Sequence, residues 1–181
     1  MDYQGKLNQK IKDVKPSGIR KFFDIVATMD NVISLGIGEP DFQTPECIRE
    51  AGIQTLREGK TKYTSNSGLI ELRRAIAAYY ERRFGVAYNG DTDCLITVGG
   101  SEAIDLCFRV LLNEGDEVVM GEPSFVCYGP LTGMSNGMYV PIATKAEDKF
   151  RLKAEDLKRV ITPKTKLLVL SPDPPSMKMF A

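Results

Sequence analysis

The sequence predicts an α/β protein with a mostly parallel sheet covered on both faces. Two observations carry that expectation. Four short runs are apolar nearly throughout: CLITV (94–98), EVVM (117–120), MYVPI (138–142) and KLLVL (166–170). A strand with one wet face alternates apolar with polar residues, whereas a strand buried on both faces does not. Segments with helical apolar spacing lie between these runs, which is the alternation of a parallel α/β sheet.

The elements follow in order. Ser17 is placed to cap a helix running to about Met29, with Ile19, Phe22, Phe23 and Val26 on one face. NVISLGIGEPDFQTP (31–45) is an apolar run that meets Gly, Pro and Asp, as a strand breaking into a loop does. Ile48–Leu56 reads as an amphipathic helix ended by Gly59, and KYTSNSG (62–68) as a polar loop. Leu69–Phe84 reads as a helix with Leu72, Ile76 and Tyr79 or Tyr80 on one face and Gly85 at its end. From Asp93 strand and helix alternate. A helix over Ser101–Asn113 carries the stripe Ala103, Leu106, Cys107, Val110, Leu111, and another covers Ala154–Ile161. The first 45 residues lack this alternation and are expected to form a smaller N-terminal layer, with the main domain over residues 46–181.

Composition removes several function classes. At 43% apolar and 27% charged, the 181 residues have the make-up of an ordinary globular protein. Lys plus Arg equals Asp plus Glu at 24 each, so no overall field draws in nucleic acid or an anionic membrane. No apolar run approaches the length of a membrane span and the N-terminus has no signal-peptide pattern, so the expected location is cytoplasmic. Histidine is absent, which removes Ser-His and Cys-His pairs and His-ligated metals. Cys47, Cys94, Cys107 and Cys127 stand far apart and are expected to be buried, reduced thiols.

In a sheet of this kind ligands bind beyond the carboxyl ends of the strands. Three such ends are unusual here. TVGGSEA (97–103) sets two glycines between a strand and a helix start, where close backbone approach and exposed N–H groups suit a phosphate. The same residues also suit a tight turn capped by Ser101. GEPSFVCYGP (121–130) brings Phe125 and Tyr128 to the end of the second strand, either to stack on a planar ligand or to plug the sheet edge. LSPDPP (170–175) either lines a site or begins an extended tail.

Taken together, these segments resemble the class I and II aminotransferases, the fold-type I family that uses pyridoxal phosphate. ISLGIGEPDFQTP is similar to the family's LGxGEPDFxTP, and KYTSNSGLIELRRAIAAYY to its YTxxxGxxELRxAIA. TVGGSEAIDLCFRVLLNEGDEVVMGEPSFVCY is similar to VTxGxxEAIxxxxxxLxxPGDEVxxxxPxYxxY. The resemblance implies an incomplete fold-type I large domain over 46–181, preceded by a small-domain segment over 1–45. It implies that Gly100, Ser101 and Glu102 hold the cofactor phosphate and that Phe125 stacks on the pyridine ring. It further implies that Gly38 offers its N–H to the substrate carboxylate. Tyr63 would reach the phosphate in the neighbouring subunit of a homodimer. The implied reaction moves an amino group between an amino acid and a 2-oxo acid.

After the last strand the family continues SPNNPTG, whereas this chain reads SPDPPSMKMFA (171–181). Pro174 stands at the position of the second Asn and offers no side-chain donor. The family's pyridine-pairing Asp, cofactor-anchoring Lys and substrate-binding Arg have no match before Ala181. The expectation is an N-terminal part of such an enzyme, cut inside its cofactor pocket and inactive alone. SMKMFA faintly resembles the family's lysine motif, which makes Lys178 a remnant of that lysine if an internal segment has been lost. The alternatives are a related pyridoxal-phosphate lyase or decarboxylase, a nucleotide-binding α/β domain, and a non-catalytic fragment that pairs with a full-length subunit. Against the nucleotide reading, no acidic residue closes the EVVM strand, and Glu122 comes two residues later.

Overall fold

The computed structural model describes residues 4–14, 18–26, 28–33 and 42–170. Two short helices, α1 (Gln9–Asp13) and α2 (Ile19–Val26), precede two longer ones, α3 (Glu46–Arg57) and α4 (Ile70–Phe84). Then come α5 (Gly100–Leu111), β1 (Glu117–Glu122), α6 (Tyr128–Met134), β2 (Met138–Ala143), α7 (Ala154–Val160) and β3 (Thr165–Val169). The chain divides into two compact units. One comprises residues 1–38 and 104–181, and the other residues 39–103.

The first unit holds the sheet. Its strands are all parallel in the order β2–β1–β3, with Val119 opposite Val140 on one side and Leu168 on the other. The central position of β1 explains its sequence. Val118, Val119 and Met120 have no exposed surface, because neighbours close both edges and packing covers both faces. Phe108, Leu112, Val118 and Met120 form the core, with Ile104, Tyr128, Leu131, Tyr139, Leu167 and Val169 packed against them. The core-facing row is therefore Ile104 and Phe108 of α5, continued by Leu112 just past its end, and not the expected stripe, since Val110 is 82% exposed. Both faces of α5 are apolar, and the row bearing the large Phe108 ring is the one that meets β1.

In the second unit α4 ends at Gly85 in the left-handed conformation, as the sequence predicts. The expected strand over 94–98 is not one. Its backbone has no ladder partner among the described residues, and Leu95 and Val98 are exposed. Residues 31–33 and 42–45 are likewise not strand, while residues 34–41 lie outside the described part. So do Ser17 and the tail from Ser171, with Pro174 and Lys178 in it. The four cysteines are free as expected, but none is buried. Cys47 and Cys107 are exposed, and Cys94 and Cys127 are half-buried. Among the described residues no group of side chains could hold a metal ion, and no helix is long and apolar enough to cross a membrane.

Candidate active site

The glycine turn lies in the second unit, at the head of α5. Gly99 has φ +83°, a conformation that favours glycine, and its N–H donates to the Thr97 carbonyl at 2.9 Å. The Thr97 hydroxyl donates to the Gly99 carbonyl at 3.0 Å. Glu102 turns its carboxylate back to accept from the Val98 N–H, so that charge is engaged behind the turn. Gly100, Ser101 and Glu102 form the first turn of α5, where backbone N–H groups have no acceptor within the helix and its dipole is positive. A Cβ built on Gly99 or Gly100 would meet nothing within 4 Å. The turn thus presents donors and positive potential to open space.

Backbone anchors, not a sheet ladder, hold the approach to this turn. The Ile96 N–H donates to the Ser67 carbonyl at 3.1 Å. Gly68, at φ +92°, lies so close that a Cβ there would sit 2.5 Å from Ile96 Cγ1. Upstream, Arg73 Nε donates to the Cys94 carbonyl at 3.0 Å and its Nη2 to the Asp91 carbonyl. Arg74, the next residue, grips the Asp91 carboxylate with two bonds of 2.7 and 2.9 Å, which lowers the Asp91 pKa. Tyr63 belongs to the loop that ends in Ser67 and Gly68, and its side chain is fully exposed. The structure therefore ties the loop of Tyr63 to the approach of the glycine turn.

Phe125 lies in the first unit, five residues beyond the buried part of β1. It is 42% exposed and meets Tyr128 edge-on at 5.6 Å between ring centres. It lines an open cavity of about 540 Å³ with Glu122, Ser124, Val126, Pro130 and Tyr139. The Tyr139 hydroxyl donates to the Glu122 carboxylate. Burial, and after it Glu122, push the Tyr139 phenol up to about 12. Sequence reasoning passed over this pair. Glu122 does close the strand, because β1 continues two residues past EVVM; it lies opposite Ala143 of the neighbouring strand, and its side chain meets that of Tyr139. The only hint was an acid and a phenol at ends of adjacent apolar runs. Gly38 lies outside the described residues.

The parallel sheet with its flanking helices is that of an α/β protein. The family model for aminotransferases of class I and II matches residues 30–175, and the chain belongs to that family. Members of this class use pyridoxal phosphate. The nucleotide-binding alternative gives way to this match. The chain is 44% identical over 176 residues to the aminotransferase homologue YugH of Bacillus subtilis, covering 97% of this chain and 46% of that protein. It is 40% identical to an aspartate aminotransferase of Pyrococcus abyssi, over 91% of this chain and 42% of that one. Among solved structures, a Pyrococcus protein designated A1 matches with a TM-score of 0.83 at 41% identity, over 88% of this chain and 41% of that one. Thermus thermophilus aspartate aminotransferase with maleate matches with 0.82 at 34% identity, over 91% and 44%. The fold is that of the fold-type I aminotransferases, and the chain spans less than half the length of these relatives.

Proposed function

We propose that this chain is part of a pyridoxal-phosphate-dependent aminotransferase that moves an amino group between an amino acid and a 2-oxo acid. The glycine turn at the head of α5 carries the reading. It offers N–H donors to open space beside Gly99 and Gly100, and the carboxylate of Glu102 in the same turn accepts from the Val98 N–H. These residues fit a phosphate. Gly100, Ser101 and Glu102 hold it through backbone N–H groups and the Ser101 hydroxyl, and Phe125 stacks on the pyridine ring. Tyr63 is free to serve the neighbouring site of a homodimer, which suits its full exposure. Gly38 binds the substrate carboxylate. When bound, the cofactor supplies the electron sink for bonds at the substrate's α-carbon. Residues 1–45 belong to a small domain and 46–181 to the cofactor-binding domain, and the protein works in the cytoplasm.

The 181-residue chain alone turns over no amino acid, because the family's anchoring lysine has no match in it other than Lys178. Equilibrium dialysis against pyridoxal phosphate and against pyridoxal tests the binding half of the reading. The phosphorylated form is expected to be retained more strongly, inorganic phosphate to compete, and Ser101→Asp to remove the difference. Equal retention of the two compounds would refute the phosphate turn. For the catalytic half, borohydride reduction with pyridoxal phosphate and mass spectrometry should find scattered partial labelling of surface lysines. Stoichiometric labelling of Lys178 accompanied by transamination would overturn it.

A further inference from the structure

Arg73 is the one charged side chain that is buried among the described residues, at 8% exposure. Burying a guanidinium is costly unless its donors are satisfied, and a carboxylate is the usual partner. Arg73 has none. Its neighbour Arg74 takes the Asp91 carboxylate at the surface, while Arg73 spends its planar fork on two backbone carbonyls, of Asp91 and Cys94.

The loop it grips is already closed on itself. Asp91 N–H donates to the Asn89 side chain and Asn89 N–H to the Asp93 carboxylate, both at 2.9 Å, and Thr92 adds a bond to Asp93 at 2.7 Å. A loop this constrained moves as one piece, so a single clamp fixes the direction of the chain leaving it. From Cys94 to Thr97 is roughly 10 Å of extended chain, and no strand ladder guides it. The other fixed point on that path is Ile96, bonded to Ser67 and pressed on Gly68 just ahead of α4, the helix that carries Arg73. Both fixed points trace back to the start of α4.

We propose that Arg73 is a positioning residue that holds the glycine turn and the Tyr63 loop as one unit, so that a single buried side chain aims both groups meant for the cofactor phosphate. The proposal rests on the phosphate reading of the turn given above. In a homodimer one clamp then orders two different sites: the chain's own, through Gly100–Glu102, and its neighbour's, through Tyr63. This accounts for a buried cation whose hydrogen bonds go to backbone carbonyls and not to an acid, in a segment that has no sheet to support it.

Two measurements on the 181-residue chain test it. In Arg73→Ala, amide exchange followed by mass spectrometry should rise in residues 61–68 and 94–100 and stay unchanged in Glu117–Glu122. Guanidinium at low millimolar concentration should reverse the rise, and sodium chloride should not. Equilibrium dialysis with inorganic phosphate should show affinity lower by about tenfold, restored by guanidinium in Arg73→Ala but not in Ser101→Asp. If Arg73→Ala does not fold, Arg73→Lys carries the test, with the same two segments loosened to a smaller extent. Unchanged exchange in both segments, or loosening that spreads to Glu117–Glu122 in Arg73→Lys, overturns the proposal. So does undiminished phosphate affinity in a variant whose parent binds phosphate. If the parent retains no phosphate, the reading of the turn falls, and the exchange pattern alone still decides whether Arg73 is the clamp.

Discussion

EVVM and CLITV look alike as sequences, yet only one becomes a strand. β1 lies between two parallel neighbours, and its three central residues have no exposed surface. Residues 94–98 have half-buried positions at Cys94, Ile96 and Thr97, exposed ones at Leu95 and Val98, and a single backbone bond to Ser67. An apolar run reports that a segment suits burial. It does not report who supplies the ladder, because strand pairing is a property of two segments. Where neighbours exist, hydrogen bonds along both edges make the segment rigid. Where they are lacking, a glycine contact and an arginine fork take over the task of holding the chain.

That contrast predicts its largest difference for a charge placed in the middle of each run. Val119→Asp puts a carboxylate where no water reaches and no partner waits, and should cost at least about 4 kcal/mol. A protein of ordinary stability would lose most of its folded population. Leu95→Asp, at a position 56% exposed, should change stability by no more than about 0.5 kcal/mol. Urea denaturation followed by circular dichroism measures both. Comparable losses at the two positions would mean that 94–98 is as buried as β1 and that the contrast is false.

A second pair sharpens the comparison through glycine. Gly68→Ala adds a methyl 2.5 Å from Ile96 Cγ1, in a backbone conformation that disfavours any side chain. The expected cost is about 2–4 kcal/mol, with phosphate affinity falling alongside because the approach to the turn is displaced. Gly121→Ala, within β1, meets only ordinary contacts, at 3.7 Å to Thr144 and 4.0 Å to Leu152. It should be neutral to within about 0.5 kcal/mol. The same denaturation curves read this pair, and an intolerant Gly121 would show that β1 has less room than its packing indicates.

The parts of the molecule legible in the sequence were those whose signal is local. The long helices, the sheet strands from Glu117 onward and the left-handed cap at Gly85 each follow from spacing or residue type within about 15 residues. The glycine turn was legible for the same reason, since two glycines before a helix start suffice to raise it. What the sequence hid was relational. The core face of α5 was misjudged because both faces are apolar and only the position of β1 chooses between them. Arg73 hid inside ELRR, where two adjacent arginines look like a solvated pair until one is found beneath the loop. Glu122 and Tyr139 lie seventeen positions apart in the chain and meet only because β1 and β2 are parallel neighbours.

That last pair gives the smallest effect and a pH dependence with a definite sign. Burial, reinforced by Glu122, raises the Tyr139 phenol to about 12, above the value of about 10 that it takes in an unfolded chain. A group whose pKa is raised by folding holds more protons in the folded state between those two values. Its contribution to stability is therefore complete below about pH 10 and is lost as the pH rises towards about 12. Tyr139→Phe removes the titrating group and with it that part of the alkaline decline. Its unfolding midpoint in urea should fall less than the parent's between about pH 10 and 11.5. At pH 7 the variant should be modestly less stable, since the Glu122 carboxylate then loses its donor. Leu95→Asp provides the control from the other region. It changes nothing near this phenol, so its alkaline slope should parallel the parent's. A Tyr139→Phe slope indistinguishable from the parent would show that the hydroxyl titrates alike in both states. The Glu122–Tyr139 bond would then contribute nothing to the hold of β2 on β1.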